Sequence, residues 1–354
     1  MNELITNILK IIKDYREDDL FVTINENHIA RWVNQFDEND REFLLTELLH
    51  LLPECYLSKQ HTLSILKSTL DVLAKDYNCT SVQELLDQTY LMDCQPAGKS
   101  QGVFLGFIRE VIEKEYSYDF SKCTQKDGKR NWIYLDDVLA TGGTFRNNIT
   151  KAISDYGHDK FTTSDISIIS MFVILHRWGM SNVKYAVQKK FEGFDAESRL
   201  KFYCVTEVEN DPRVNYYNPN PSFNNVFPTD VDNFEEILVF IESKCKRNHE
   251  MTKKDNALRN ASYPNEEKFY TSKENRNRYE KILLEKGYEI MKSIDYIEAA
   301  SLRPLGMINP TYLTLGTGTH YFTWRNISNT CPLVFWWQQN GWHPLFPVQN
   351  RGVN

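Results

Sequence analysis

Two acids and two glycines, Asp136-Asp137 and Gly142-Gly143, stand four residues apart, with Thr141 and Thr144 on either side of the glycines. Adjacent glycines give the backbone conformations closed to other residues and let consecutive N–H groups come close to a ligand. A helix starting there adds its free amides and the positive end of its dipole, a combination that suits a phosphate. The Thr141 and Thr144 hydroxyls are further donors. Asp136 and Asp137 can accept hydrogen bonds from sugar hydroxyls or face a hydrated Mg²⁺. A phosphorylated ribose uses both halves at once. The spacing fits neither GxxxxGK[ST] nor a GxGxxG after a strand, so the common nucleotide motifs do not account for it. The plain alternative is a strand-to-helix turn that happens to carry an acidic pair.

Such a site needs a strand before it and a helix after it. Trp132 to Leu135 is an apolar, β-branched and aromatic run that reads as a buried strand ending at the acids, and Phe145 to Tyr156 has helical spacing without proline. Asp165 to Val173 and Phe202 to Val208 read as further strands, with helices over 145–157 and 180–192. Strands alternating with helices predict parallel pairing, with ligands at the carboxyl ends of the strands. His176-Arg177 follows the second strand on that side, where a histidine either touches substrate or is a partly exposed packing contact.

The run Leu135-Asp136-Asp137-Val138-Leu139-Ala140-Thr141-Gly142-Gly143-Thr144 resembles the PRPP-binding motif of type I phosphoribosyltransferases, closest to the adenine and orotate members. The resemblance implies that Asp136 and Asp137 bind the ribose 2′ and 3′ hydroxyls, and that Ala140, Thr141, Gly142, Gly143 and Thr144 hold the 5′-phosphate. Mg²⁺ is implied as a cofactor arriving with PRPP near the two acids. The 6-oxopurine members place an Asp where this chain has Ala140, so no loop carboxylate is available as a base on an incoming purine. Upstream, Gln95-Pro-Ala-Gly-Lys-Ser-Gln-Gly102 occupies a place comparable to the family's pyrophosphate loop, which assigns Lys99 and Ser100 to the pyrophosphate. Its other reading is an ordinary surface turn with a solvated lysine.

The chain has 354 residues, of which 41% are hydrophobic and 13% aromatic, enough for a sizeable core in one or two domains. A net charge of −7 argues against a dedicated nucleic-acid coat, although Lys244, Lys246, Arg247, Lys253 and Lys254 form local basic clusters. Seven scattered cysteines contain no C-x-x-C pair, which suggests neither a disulfide framework nor a zinc site and implies a reducing compartment. Met1 to Asp14 has helical spacing without the apolar core of a signal peptide, and no run approaches a membrane span. The expected address is the cytoplasm.

Residues 1–120 read as helix after helix, with apolar stripes at Ile29, Trp32, Val33 and Phe36 and at Leu63, Leu66, Leu70 and Leu73, and with Ser81 and Glu84 as a capping box. Residues 210–228 have the composition of a long loop and a candidate lid. Asp230 to Lys246 predicts an amphipathic helix, and a long charged helix is expected within Lys253 to Lys281. From Arg303 to Pro347 aromatic strands and glycine turns are expected. There Trp324, Trp336, Trp337 and Trp342 either stack a base or pack a core. Arg325, Asn326 and Asn329 either satisfy turn backbone or line a pocket.

These readings predict an α/β fold: a type I phosphoribosyltransferase-like core with a central, mainly parallel sheet, a helical N-terminal region and an aromatic β-rich C-terminal region. The expected division is 1–120, 121–250 and 251–354, the last packing on the core. With the early helices and the aromatic tail, the chain looks like the phosphoribosyltransferase-like proteins of bacterial conflict systems, including effectors encoded beside retron reverse transcriptases. That resemblance implies an anti-phage effector that transfers or hydrolyses a ribosyl phosphate. The implied partners are PRPP or a related ribose phosphate, a reverse transcriptase with its multicopy single-stranded DNA, and a small DNA-binding accessory protein, with no membrane. A PRPP or nucleotide sensor on the same fold is the alternative. A PRPP synthetase is disfavoured, because no internal repeat is present.

Overall fold

The computed structural model describes residues 1–96, 98–209, 223–245, 254–308 and 314–348. They form two compact units, one of residues 60–208 and one in which 1–59 join 209–354. The expected three-segment division runs differently: residues 60–120 fold with the sheet, whereas 1–59 fold with the C-terminal part. Helical periodicity shows that a segment buries one face but not against which partner, so the boundary was not legible.

The discontinuous unit begins with α1 (Asn2–Ile12), α2 (Glu26–Val33), α3 (Glu38–Cys55) and the two-residue strand β1 (Tyr56–Leu57). Asn25 caps α2 by accepting from the His28 amide. The predicted stripe Ile29, Trp32, Val33 and Phe36 is buried.

The continuous unit starts with α4 (Lys59–Asp76), α5 (Val82–Asp87) and β2 (Thr89–Leu91). Ser81 accepts from the Glu84 amide, while Glu84 accepts from the amide and hydroxyl of Thr80, a variant of the expected capping box. Then come α6 (Ser100–Tyr116), β3 (Asn131–Leu139), α7 (Gly143–Tyr156), α8 (His158–Thr162), β4 (Ser167–His176), α9 (Arg177–Lys190), α10 (Ala196–Arg199) and β5 (Leu200–Val208). The strands form a four-stranded sheet in the order β2-β3-β4-β5, parallel throughout, as predicted. Burial on both faces explains why β4, broken only by the buried Ser170 between Ile168 and Leu175, reads as a nearly continuous apolar run rather than an alternating one. One face packs Trp132, Tyr134, Ile168 and Phe172 against Phe145, Ile149, Ile153, Val183 and Val187 of α7 and α9. Because all four strands run the same way, the chain leaves β2 and β3 at the same end of the sheet, and that end carries the acids and the glycines.

The discontinuous unit resumes with α11 (Phe234–Lys244), α12 (Lys254–Ala257), α13 (Lys273–Lys292), β6 (Phe322–Thr323) and α14 (Leu333–Trp336). The long charged helix lies later than expected, capped by Ser272 accepting from the Asn275 amide. β6 pairs in parallel with β1, joining two parts of the chain far apart in sequence. The C-terminal region is aromatic but not β-rich: among the described residues beyond 303 it holds β6, residues in two isolated bridges and the one-turn α14. Aromatic content sets what a segment buries, not that it pairs as a strand, and here the rings pack on one another, with Phe322 and Phe346 stacked at 4.5 Å. Trp324, Trp336 and Trp337 are buried and Trp342 is half-buried, so these rings serve packing. Asn329 donates to the Met307 sulfur, 22 residues away, and the Asn326 amide donates to Thr323 within its own turn. Of the expected lid, residues 210–222 lie outside the described residues. Among the described residues no helix is long and apolar enough to cross a membrane.

Candidate functional site

Strand geometry decides where the two acids go. Neighbouring residues of a strand project to opposite faces, so Asp136 shares a face with Tyr134 and Asp137 takes the other. Asp136 is buried, and four donors surround its carboxylate: the Ser100 hydroxyl at 2.5 Å, Gln95 Nε2 at 2.6 Å, the Asp137 amide at 3.0 Å and the Tyr134 hydroxyl at 3.2 Å. The Tyr134 oxygen in turn accepts from Gln95 Nε2 at 2.8 Å and from Asn148 Nδ2 of α7 at 3.1 Å. Burial and the adjacent Asp136 charge push the Tyr134 phenol above its ordinary value, so it stays protonated and can donate. Every donor to Asp136 is neutral, and among the described residues no ion pair reaches it. Asp137 is half-buried, and its carboxylate accepts from the Val138 amide at 2.8 Å.

The upstream loop arrives at the same place. Gln101 Oε1 accepts from the amides of Cys94 and Gln95 at 2.7 and 3.0 Å, folding the loop back on the start of α6. Ser100, the first residue of α6, is thereby set against Asp136. Lys99 is the exposed N-cap residue of that helix, and Ala97 lies outside the described residues. The two stretches singled out in the sequence therefore meet through Ser100 and Asp136.

The glycines divide the work of the bend. Gly142 is the N-cap of α7 with φ +77°, a left-handed conformation, and a β-carbon there would overlap the Val183 side chain. Gly143 is the first residue of α7, has an ordinary backbone, and a β-carbon on it would meet only Thr141 Oγ1 at 3.6 Å. Gly142 thus shapes the bend, while Gly143 keeps the approach to it open. A third glycine, Gly179 of α9, lies so close to the Ala140 carbonyl that a β-carbon would overlap that oxygen. Thr141 and Thr144 are exposed, Gly143 and Ala140 half-buried. The Thr144 and Phe145 amides belong to the first turn of α7, where helical geometry provides no intrahelical acceptor.

Gln95, Tyr134, Asn148 and Gly179 were not singled out from sequence. Gly179, a glycine near the start of a predicted helix, carried the one usable signal, since such a residue marks a close backbone approach. The others become recognisable only once the fold brings them to Asp136. His176 does not reach the surface as expected: it is wholly buried, and burial lowers its imidazole to about 3, so it is neutral. Among the described residues no cluster of three or more His, Cys, Asp or Glu could hold a metal ion.

A parallel α/β sheet with an acidic strand end, a glycine-threonine bend and a helix N-terminus fits a phosphoribosyltransferase-like protein. Residues 29–348 match the family model described as PRTase-CE, and the chain belongs to that family. No curated protein matches the chain, and no solved structure does.

Proposed function

We propose that this protein binds PRPP, or a related ribose 5-phosphate, at the end of β3 and transfers or hydrolyses its ribosyl group. The observation that carries the reading is Asp136: a buried carboxylate held by neutral donors alone, beside an exposed Gly-Thr bend that opens a 14-residue helix. In this reading the first-turn amides of α7 and the Thr141 and Thr144 hydroxyls hold the 5′-phosphate, with Ala140, Gly142 and Gly143 forming the rest of the cradle. Asp136 and Asp137 hold the ribose hydroxyls, and Ser100 with Lys99 faces the pyrophosphate. Mg²⁺, if it accompanies the ligand's phosphates near Asp136 and Asp137, would supply charge neutralisation for the leaving pyrophosphate. The acceptor's lone pair forms the new bond to C1 as pyrophosphate leaves with the electrons of the old one. The protein contributes orientation and preorganised dipoles.

One observation favours a second reading, a PRPP or nucleotide sensor. Sugar hydroxyls reaching Asp136 compete with Ser100 and Gln95, so occupancy would be felt in residues 94–101 whether or not bonds break. Turnover separates the two. Conversion of labelled PRPP with Mg²⁺ by the wild type but not by Asp136→Asn/Asp137→Asn supports the enzyme. Calorimetric binding without conversion supports the sensor, and no binding by the wild type overturns both.

The setting we propose is an anti-phage effector acting with a reverse transcriptase, its multicopy single-stranded DNA and a DNA-binding accessory protein. The sequence resemblance to conflict-system proteins supports it. Expression alone should then arrest growth, and co-expression with such partners should relieve the arrest.

A further inference from the structure

β5 is the last strand of its sheet, and among the described residues no strand pairs with its outer side. Edge strands of monomers are ordinarily protected by proline, a bulge, inward-pointing charge or a covering segment. Leu200 to Val208 contains no proline, and its charges are Lys201, Glu207 and nothing between them. Its middle is open: Cys204 is exposed, Val205 is 45% exposed, and Tyr203 is half-buried.

The residue order along this edge is complementary to itself. If two copies of β5 run antiparallel about a two-fold axis through Cys204, Lys201 faces Glu207 of the second copy, Phe202 faces Thr206, Tyr203 faces Val205 and Cys204 faces Cys204. Both charges meet an opposite charge, and an aromatic ring meets a β-branched side chain, the pairings that stabilise antiparallel strands. A slip of one residue toward the C-terminus sets Glu207 against Phe202, and a slip toward the N-terminus sets Lys201 against Thr206 and Glu207 against Leu200. Glu207 also lies 3.8 Å from Arg177 of its own chain, so the new pair would extend an existing charge cluster.

We infer that the occupant of this edge is a second copy of the chain, paired strand to strand in the Cys204-centred register to give a continuous eight-stranded sheet. The glycine bend follows β3, two strands from the edge, so pairing leaves it clear of the seam.

Cys204 is a built-in reporter. Facing residues of an antiparallel pair have Cα atoms about 4.5 to 5.5 Å apart, within the roughly 4.4 to 6.8 Å range that a disulfide spans. The other six cysteines are buried or half-buried. The experiment uses the full chain, with sedimentation velocity over its accessible concentration range and with copper-phenanthroline oxidation, in which the reagent takes up the two electrons as two thiols lose their protons. The expected result is a concentration-dependent dimer, an interchain crosslink lost in Cys204→Ala, a dimer weakened roughly tenfold by Lys201→Glu, and recovery in Lys201→Glu/Glu207→Lys. A monomer at every concentration overturns the inference. So does a dimer that neither crosslinks through Cys204 nor responds to Lys201→Glu. The charge swap is on the exposed edge, so PRPP binding provides a check on folding.

Discussion

The two units each bury a carboxylate, and they surround it in opposite ways. In the discontinuous unit Glu280 is wholly buried between two arginines: Arg259 donates to it at 2.8 Å and Arg276 at 3.0 Å. Arg276 also pairs with Glu267 at 2.5 Å and donates to the carbonyls of Phe223 and Asn225, and the Phe227 amide donates to Glu280. Charge is neutralised and the donors are matched, as a structural network requires. In the continuous unit Asp136 accepts four hydrogen bonds, against three at Glu280, yet among the described residues it has no counter-ion. A buried charge stabilised by neutral dipoles alone leaves negative potential at the end of the sheet, where a hydroxyl or a metal-bound phosphate can use it. Under the proposed function, the chemical type of a buried carboxylate's partners, rather than burial itself, separates the structural Glu280 from the ligand-facing Asp136.

Removing one charge from each unit tests this contrast most directly. Glu280→Gln leaves two buried guanidinium groups without their shared carboxylate and should cost about 3–5 kcal/mol in denaturant unfolding. Asp136→Asn keeps the shape and the two bonds that one oxygen accepts from Ser100 and the Asp137 amide, but turns an NH2 toward the Gln95 and Tyr134 donors; stability should fall by only about 1–2 kcal/mol while PRPP binding in calorimetry is lost. Equal stability losses in both variants would remove the distinction.

Acid should act on both units alike. His320 in one and His176 in the other are wholly buried, and burial lowers each imidazole from an ordinary 6.5 to about 3. The folded pKa lies below the unfolded one, so the unfolded chain binds the proton first. Stability is therefore complete above about pH 6.5 and declines as pH falls toward 3. At pH 4 the loss for each histidine should be on the order of 3 kcal/mol, and His320→Gln or His176→Gln should flatten the urea-midpoint profile against pH. His343, lowered to about 4 by burial first and then by His28, adds a term of the same sign.

Within the site unit the two glycines sharpen the contrast between shaping and access. Gly142→Val forces a branched side chain into the left-handed region and onto Val183, which should cost about 1–3 kcal/mol and disorder the bend. Gly143→Val should leave the unfolding midpoint close to wild type yet abolish PRPP binding by filling the open approach. Normal affinity in Gly143→Val would remove this bend from the binding surface.

The smallest effect is expected at Lys99, whose side chain is exposed at the start of α6. Lys99→Ala should leave stability unchanged and lower PRPP affinity only about twofold to fivefold, a difference that shrinks as salt is raised.

Much of this was legible in the chain itself. The run from Trp132 to Tyr156 encodes a strand, an acidic pair, a bend and a helix through local preferences, because β-branched runs, adjacent glycines and helical spacing act over a few residues. The parallel sheet followed from strands alternating with helices, and Ser100 was singled out beside Lys99. Tertiary structure decided the rest. That Asp136 rather than Asp137 faces Ser100 depends on the pleat of β3. That Gln95 and Tyr134 donate to it, with Asn148 donating to Tyr134, depends on the loop before α6 and on α7 meeting the same strand end, and that Gly179 admits the Ala140 carbonyl depends on where α9 crosses the bend. The division of the chain, the pairing of β1 with β6 across more than 260 residues, and the arginines around Glu280 are likewise long-range outcomes. Sequence fixes what each segment can form and which face it must bury, while the choice of partner is made by packing among many such faces and is written in no single stretch.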